Sequence, residues 1–283
     1  MDTKKRLREL MAKDGVIMAP CAFDALSARC IEAAGFDLIA TTGFGIHGAK
    51  LGVPDTGVLT YNEMLETCSN IVDAVNIPVI TDAEGGYGNA TNTFRTIRGF
   101  EKAGLAGLFI EDQKLPVNCP FFKGTQMVSI DEMCGKIRAA VDARTDPNFL
   151  IIARTDAYGE EAVERLNAYA EAGADMVKPI PHDRAELEYF PKHLKAPIHL
   201  GFTPGRITNG LTAWDAGKMG YKIVTFPMTA LFASAKAMMD ALTELHKLGQ
   251  DDGLLDKMYS FDEYFKLVNA DTFRAMDEKY LKG

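Results

Sequence analysis

Short apolar runs return eight times along the chain, each followed by a segment long enough for a helix. They are Gly15–Ala19, Phe36–Thr41, Ile77–Thr81, Ala106–Ile110, Phe149–Ala153, Asp175–Lys178, Ala196–Leu200 and Tyr221–Phe226. Runs this continuous, rich in β-branched residues and bounded by Gly or Pro, read as strands buried on both faces. Strands alternating with helices make parallel sheets, and eight such units predict a (β/α)8 barrel. The 283 residues suffice for one barrel domain over 1–283. A helix over about 228–248 follows the eighth strand, and the helices expected over about 250–283 are surplus to the barrel and predict contact with a second subunit. Locally, Pro20 is expected to end strand one, and Thr42–Gly45 to form a glycine-rich turn with exposed N–H groups. Ser129 with Glu132 three residues on reads as a capping box.

The third run carries chemistry, because it leads into Asp82-Ala83-Glu84-Gly85-Gly86-Tyr87-Gly88. Side chains alternate along a strand, so Asp82 and Glu84 are expected to point the same way. Adjacent carboxylates repel unless a cation sits between them, which predicts a hard divalent ion such as Mg²⁺ or Mn²⁺. In a barrel, catalytic groups stand at the C-terminal ends of the strands. Thr42 and Gly43 follow strand two, with Asp55 in the next loop; Glu111, Arg154 and Lys178 close strands four, five and six. Each alone reads as an ordinary strand-end residue; four acids, one arginine and a backbone nest at one mouth read as a site. The metal and the N–H groups of Thr42 to Phe44 suit the carboxylate and neighbouring oxygen of an oxo or hydroxy acid. Arg154 suits a second carboxylate, and such a site stabilises an enolate.

The net charge of −8 argues against a nucleic-acid partner. No apolar run approaches the ~18 residues of a membrane span. Five scattered cysteines without metal-type spacing predict free thiols in a cytosol. His47, His182, His193 and His246 are expected at the surface or at helix ends, whereas His199 on strand seven is placed to meet substrate. Trp214 and the 13 methionines are expected to be packing residues.

The chain resembles the isocitrate lyase/phosphoenolpyruvate mutase superfamily along nearly its whole length. The resemblance is carried in order by Asp24–Ala28, Leu51–Asp55, Asp82–Asn89, Ile110–Gln113 and Ile152–Ala157. It implies a Mg²⁺-dependent barrel, usually a tetramer that exchanges a C-terminal helix between subunits. It further implies that Asp82 binds the metal with Asp55, Glu84 and Glu111 around it, partly through waters. Thr42, Gly43 and Phe44 fall where the family holds the substrate carboxylate and oxyanion, and Arg154 falls on its substrate-binding arginine. Glu84 stands where the family more often has Asp.

The loop after strand four departs from the lyase pattern. Lyases carry a Lys-Lys/Arg-Cys-Gly-His run; here it reads Val117-Asn118-Cys119-Pro120-Phe121. Cys119 lands on the lyase acid/base cysteine, and without neighbouring cations it is expected to be a protonated thiol. Ile180 and Gly201 stand near positions where lyases have Glu and Asn, and the surrounding stretches faintly resemble ketopantoate hydroxymethyltransferase. The expected activity is a Mg²⁺-dependent C–C lyase acting on a small 2-alkylmalate-type dicarboxylate. Oxaloacetate decarboxylation, aldol-type transfer and phosphonopyruvate cleavage are alternatives on the same scaffold, and an oxo-acid-binding barrel without catalysis is the alternative of another class.

Overall fold

All eight expected strands form, in a computed structural model that describes residues 2–120 and 124–281. They are β1 (Ile17–Ala22), β2 (Ile39–Thr41), β3 (Val79–Asp82), β4 (Gly107–Glu111), β5 (Leu150–Thr155), β6 (Met176–Pro179), β7 (Ile198–Gly201) and β8 (Tyr221–Phe226). The strands pair in parallel and in chain order, and β1 closes the barrel on β8. The helices are α1 (Thr3–Ala12), α2 (Ala25–Ala33), α3 (Gly43–Ile46), α4 (Tyr61–Ala74), α5 (Ala90–Lys102), α6 (Ile130–Ala143), α7 (Gly159–Glu171), α8 (Arg184–His193), α9 (Ala213–Met219), α10 (Thr229–Leu248), α11 (Phe261–Leu267) and α12 (Ala270–Tyr280).

Alternation along each strand divides the core in two. Leu108 and Ile110 point outward and pack with Ile97, Phe100 and Ile137 of the flanking helices. Phe109 points inward and packs with Ile80, Ile152, Met176 and Ile223 in the barrel interior. Burying one such side chain stabilises the fold by about 1.5–3 kcal/mol. Above this apolar floor the inward positions turn polar: Asp82, Glu111, Arg154 and Lys178. Register sets Glu111, Arg154 and Lys178 side by side across β4, β5 and β6.

Helix starts follow their capping residues. Asp24, Thr60 and Asn89 each accept from a backbone N–H in the first turn and complete reciprocal boxes with Ser27, Glu63 and Asn92. Ser129 caps α6 from its own side only; the Glu132 carboxylate stands 4.0 Å from Lys136 instead.

Three expectations are corrected. Pro20 lies inside β1, which runs on to Ala22; its missing N–H removes a single rung, and its fixed φ suits a strand. Thr42–Gly45 is no open turn: Thr42 caps the short helix α3, followed by a π-helical turn over His47–Leu51. Trp214 is 62% exposed on α9, and Met238 and Met239 are exposed on α10, so these residues do not pack the interior. Apolar exposure concentrates on α10 to α12, where Leu242, Phe261, Phe273 and Tyr280 face outward.

Candidate active site

Strand ends and loops bring the expected acids to one place, by a different route for Glu84. Glu84 lies beyond β3 with φ of 51°, so it reaches Asp82 through a turn rather than by strand alternation. The turn is tied by the Glu84 N–H, which donates to Asp82 Oδ1 at 2.9 Å. Buried Lys136 donates to the Gly85 carbonyl at 3.1 Å and anchors it from outside. Gly43 lets the β2 segment approach: a Cβ there would lie 2.6 Å from Glu84 Oε1 and 3.2 Å from Asp82 Oδ2. Its N–H faces Asp82 Oδ2 at 3.4 Å.

A cavity of about 380 Å³ opens at this mouth, lined among others by Thr42, Phe44, Asp55, Asp82, Cys119 and Arg154. Glu84 and Glu111 sit deeper, 5% and 3% exposed. Glu84 Oε1 and Asp55 Oδ1 are buried without hydrogen-bond partners. Burial, then Asp82, Glu111 and Asp55, pushes the Glu84 carboxyl well above the usual range. Burial also raises Glu111, against the pull of Arg154. Asp55 is raised by burial and by Asp82. Converging buried carboxylates with unsatisfied oxygens are the donor set that a hard divalent cation satisfies, so the residues fit Mg²⁺ or Mn²⁺.

Arg154 is already engaged. Its Nη1 lies 2.6 Å from Glu111 Oε2, an ion pair off the hydrogen-bonding direction. Its Nε and Nη2 donate to Asp156 Oδ1 at 3.0 and 2.9 Å. Burial opposes its charge, but Asp156, Glu111 and Asp82 outweigh it and hold the guanidinium firmly protonated. Asp156 and Gln113 stand in the sequence only inside the runs Ile152–Ala157 and Ile110–Gln113. Gln113 Nε2 bonds Asp156 at 2.7 Å, and the Gln113 side chain exchanges two bonds with the Asn118 backbone. This chain of bonds fixes the segment that carries Cys119. Cys119 itself is buried at the cavity wall, its N–H donating to the Asp55 carbonyl at 3.2 Å. Phe121, the last residue of the departing loop run, lies outside the described residues.

Two histidines differ from expectation. His47 is not a surface residue: it is fully buried beside the site. Its Nε2 accepts from the Leu59 N–H at 3.3 Å, which leaves the proton on Nδ1, 2.8 Å from the Gly43 carbonyl and 3.5 Å from Asp55 Oδ1. A His47 nitrogen, Asp55 and Glu84 lie within 4.8 Å of one another. With both ring nitrogens engaged, however, His47 braces the Gly43 and Asp55 segments and is no ligand. A lone His eight residues from a loop acid carries no periodic signal. His199 is inside the barrel as expected but one layer below the cavity, bonded to Thr225 Oγ1 at 2.9 Å. Burial, then Lys178 and Arg154, keep it neutral. His182 is exposed at the cavity rim, and His193 and His246 are exposed on helices.

All five cysteines are free thiols. No described helix is long and apolar enough to cross a membrane.

Residues 7–246 match the family described as phosphoenolpyruvate phosphomutase. The chain is 38% identical to 2,3-dimethylmalate lyase of Eubacterium barkeri, covering 100% of both chains. It is 38% identical to 2-methylisocitrate lyase of Aeropyrum pernix, over 96% of this chain and 89% of that one. Among solved structures, a 2,3-dimethylmalate lyase described as a PEP mutase/isocitrate lyase superfamily member superposes with TM-score 0.91 at 31% identity, covering 99% and 95%. A phosphonopyruvate hydrolase in complex with oxalate and Mg²⁺ gives 0.90 at 31%, covering 100% of both. With its closed barrel and its ring of carboxylates at the strand ends, the chain belongs to the phosphoenolpyruvate phosphomutase family, within the PEP mutase/isocitrate lyase superfamily.

Proposed function

We propose that the protein is a divalent-metal-dependent C–C lyase that cleaves a small 2-hydroxy, 2-alkylmalate-type dicarboxylate. The observation that carries the reading is the set of buried, unsatisfied carboxylate oxygens of Asp55 and Glu84 beside a cavity that also exposes Asp82 and Arg154. The lyase names of the two full-length relatives support the reaction class. Asp82, Asp55, Glu84 and Glu111 would hold Mg²⁺ or Mn²⁺, whose chemistry is to neutralise negative charge developing on the substrate oxygens. Thr42, Gly43 and Phe44 hold the carboxylate end, and Arg154 steadies the anion. The Glu111 carboxyl, whose proton affinity burial raises, takes the substrate hydroxyl proton. The hydroxyl-bearing carbon becomes the carbonyl of an oxo acid while the C–C bond breaks, leaving its electron pair on the departing fragment as an enolate. The Cys119 thiol delivers the proton that ends the enolate.

The working form is a cytosolic homotetramer, a reading supported by the free thiols and by the outward apolar residues of the 250–283 extension. Phe232 of α10 packs edge-on against Phe44, so assembly bears on the site. Incubating the protein and Mg²⁺ with 2-alkylmalates, methylisocitrate and oxaloacetate, and detecting the oxo-acid product, tests the reading. No turnover of any of them, together with no binding of oxalate, would defeat it. Cleavage of oxaloacetate or phosphonopyruvate on the same scaffold is the second reading, favoured by the missing basic residues around Cys119 and by the phosphonopyruvate hydrolase neighbour. Activity unchanged in Cys119→Ser would select it.

A further inference from the structure

Lys178 is a buried cation that the site has not used. It is 8% exposed and lines the cavity. Its Nζ stands 3.7 Å from the centre of the Phe109 ring. Among the described residues no carboxylate forms an ion pair or hydrogen bond with it, whereas Arg154, its register partner on β5, holds Glu111 and Asp156. The wall beside it is Pro179, Ile180 and Pro181, which carry no charge to neutralise it. Burial, then the nearby Arg154, depresses the ammonium to about 8, and Asp82 only partly offsets this. A ring face is a weak partner for a desolvated ammonium. An unpaired buried charge is costly unless a ligand completes it. Arg206 and His182 also reach the rim but are exposed, so water already solvates them.

We propose that Lys178 receives the distal carboxylate of the substrate and makes the site selective for dicarboxylic over monocarboxylic oxo acids. The proposal rests on the preceding reading that the near end of such an acid binds at the carboxylate cluster. One end of the ligand then lies at the cavity face beside Asp82 and Thr42, and the other reaches across the cavity to β6. The contact is an ion pair, with no bond made or broken at Nζ.

The test is calorimetry on the Mg²⁺-loaded full chain at pH 7 with oxalate, pyruvate and the unreactive diacid 3,3-difluorooxaloacetate. The wild type is expected to prefer the diacid over pyruvate by about 30-fold or more. Lys178→Met is expected to cut that preference to about 3-fold or less while oxalate binding stays unchanged, and Lys178→Arg to keep most of it. Should the Met variant fail to fold, Lys178→Gln carries the same comparison. A preference that survives in the neutral variants overturns the proposal, as does a parallel loss for all three ligands. A borohydride-trapped pyruvate adduct on Lys178 also overturns it, by replacing the ion pair with an imine. Wild-type oxalate binding without diacid preference defeats this proposal alone, whereas no oxalate binding defeats the underlying functional reading as well.

Discussion

The two sides of the barrel mouth handle charge differently. On the β2–β4 side, acids crowd together: Asp55 and Glu84 bury oxygens without partners, and Glu84 and Glu111 are both raised by burial and by neighbouring acids, Asp82 and Asp55 among them. On the β5–β6 side two cations stand in register, Arg154 saturated by Glu111 and Asp156 and Lys178 facing only a ring. Neither side is satisfied by the protein alone. The acidic side calls for a cation and the basic side for an anion, so an anionic ligand bound with a metal completes both at once.

The sharpest way to break this comparison is to remove the strand-end acid that lines the cavity. Asp82→Asn, or metal withdrawal by EDTA, is expected to lower kcat/KM by at least ~10³-fold in a coupled oxo-acid assay. Mg²⁺ or Mn²⁺ should restore the EDTA-treated enzyme and leave the variant inactive. Full activity after metal removal would end the cationic reading of that side.

The basic side is tested next through stability. Lys178 has a folded value near 8 against an ordinary 10.5, so its charge penalises the folded state below about pH 8. The penalty fades as pH rises from 8 toward 10.5. Lys178→Met should therefore gain roughly 3 kcal/mol relative to the wild type at pH 7, and that gain should shrink by pH 10.5. Paired denaturation curves at the two pH values read it; a pH-independent difference would mean that Lys178 is as well paired as Arg154.

Cys119→Ser sharpens where the proton enters, with an expected ~10²-fold loss in kcat and an unchanged unfolding midpoint. The smallest effect belongs to the brace. His47→Asn should weaken Mg²⁺ binding by about 10-fold through the displaced Asp55 and Gly43 segments. A calorimetric Mg²⁺ titration checks it, and unchanged affinity would make His47 a core residue only.

Much of the site was legible because a barrel gives strand ends a common destination. Asp82, Glu111, Arg154 and Lys178 were each read as strand-end residues, and closure of β1 on β8 brings them to one rim. His47, Asp156 and Gln113 were missed as site residues because their roles are contacts between segments far apart in sequence: Gln113 meets Asp156 across 43 positions. Glu84 arrived in the expected neighbourhood for another reason, since a left-handed backbone conformation is invisible to an alternation argument.

By itself the amino-acid order determined the eight-fold alternation, hence the parallel barrel, and the identity of the charged groups on its rim. Periodicity and capping are local, and local signals survive in one dimension. Only the tertiary structure decided how those charges are matched. It paired Arg154 twice, left Lys178 unpaired over Phe109, and sank His199 one layer below the cavity. Pairing depends on a few ångströms between neighbouring strands, and burial sets how strongly each unmatched charge is felt.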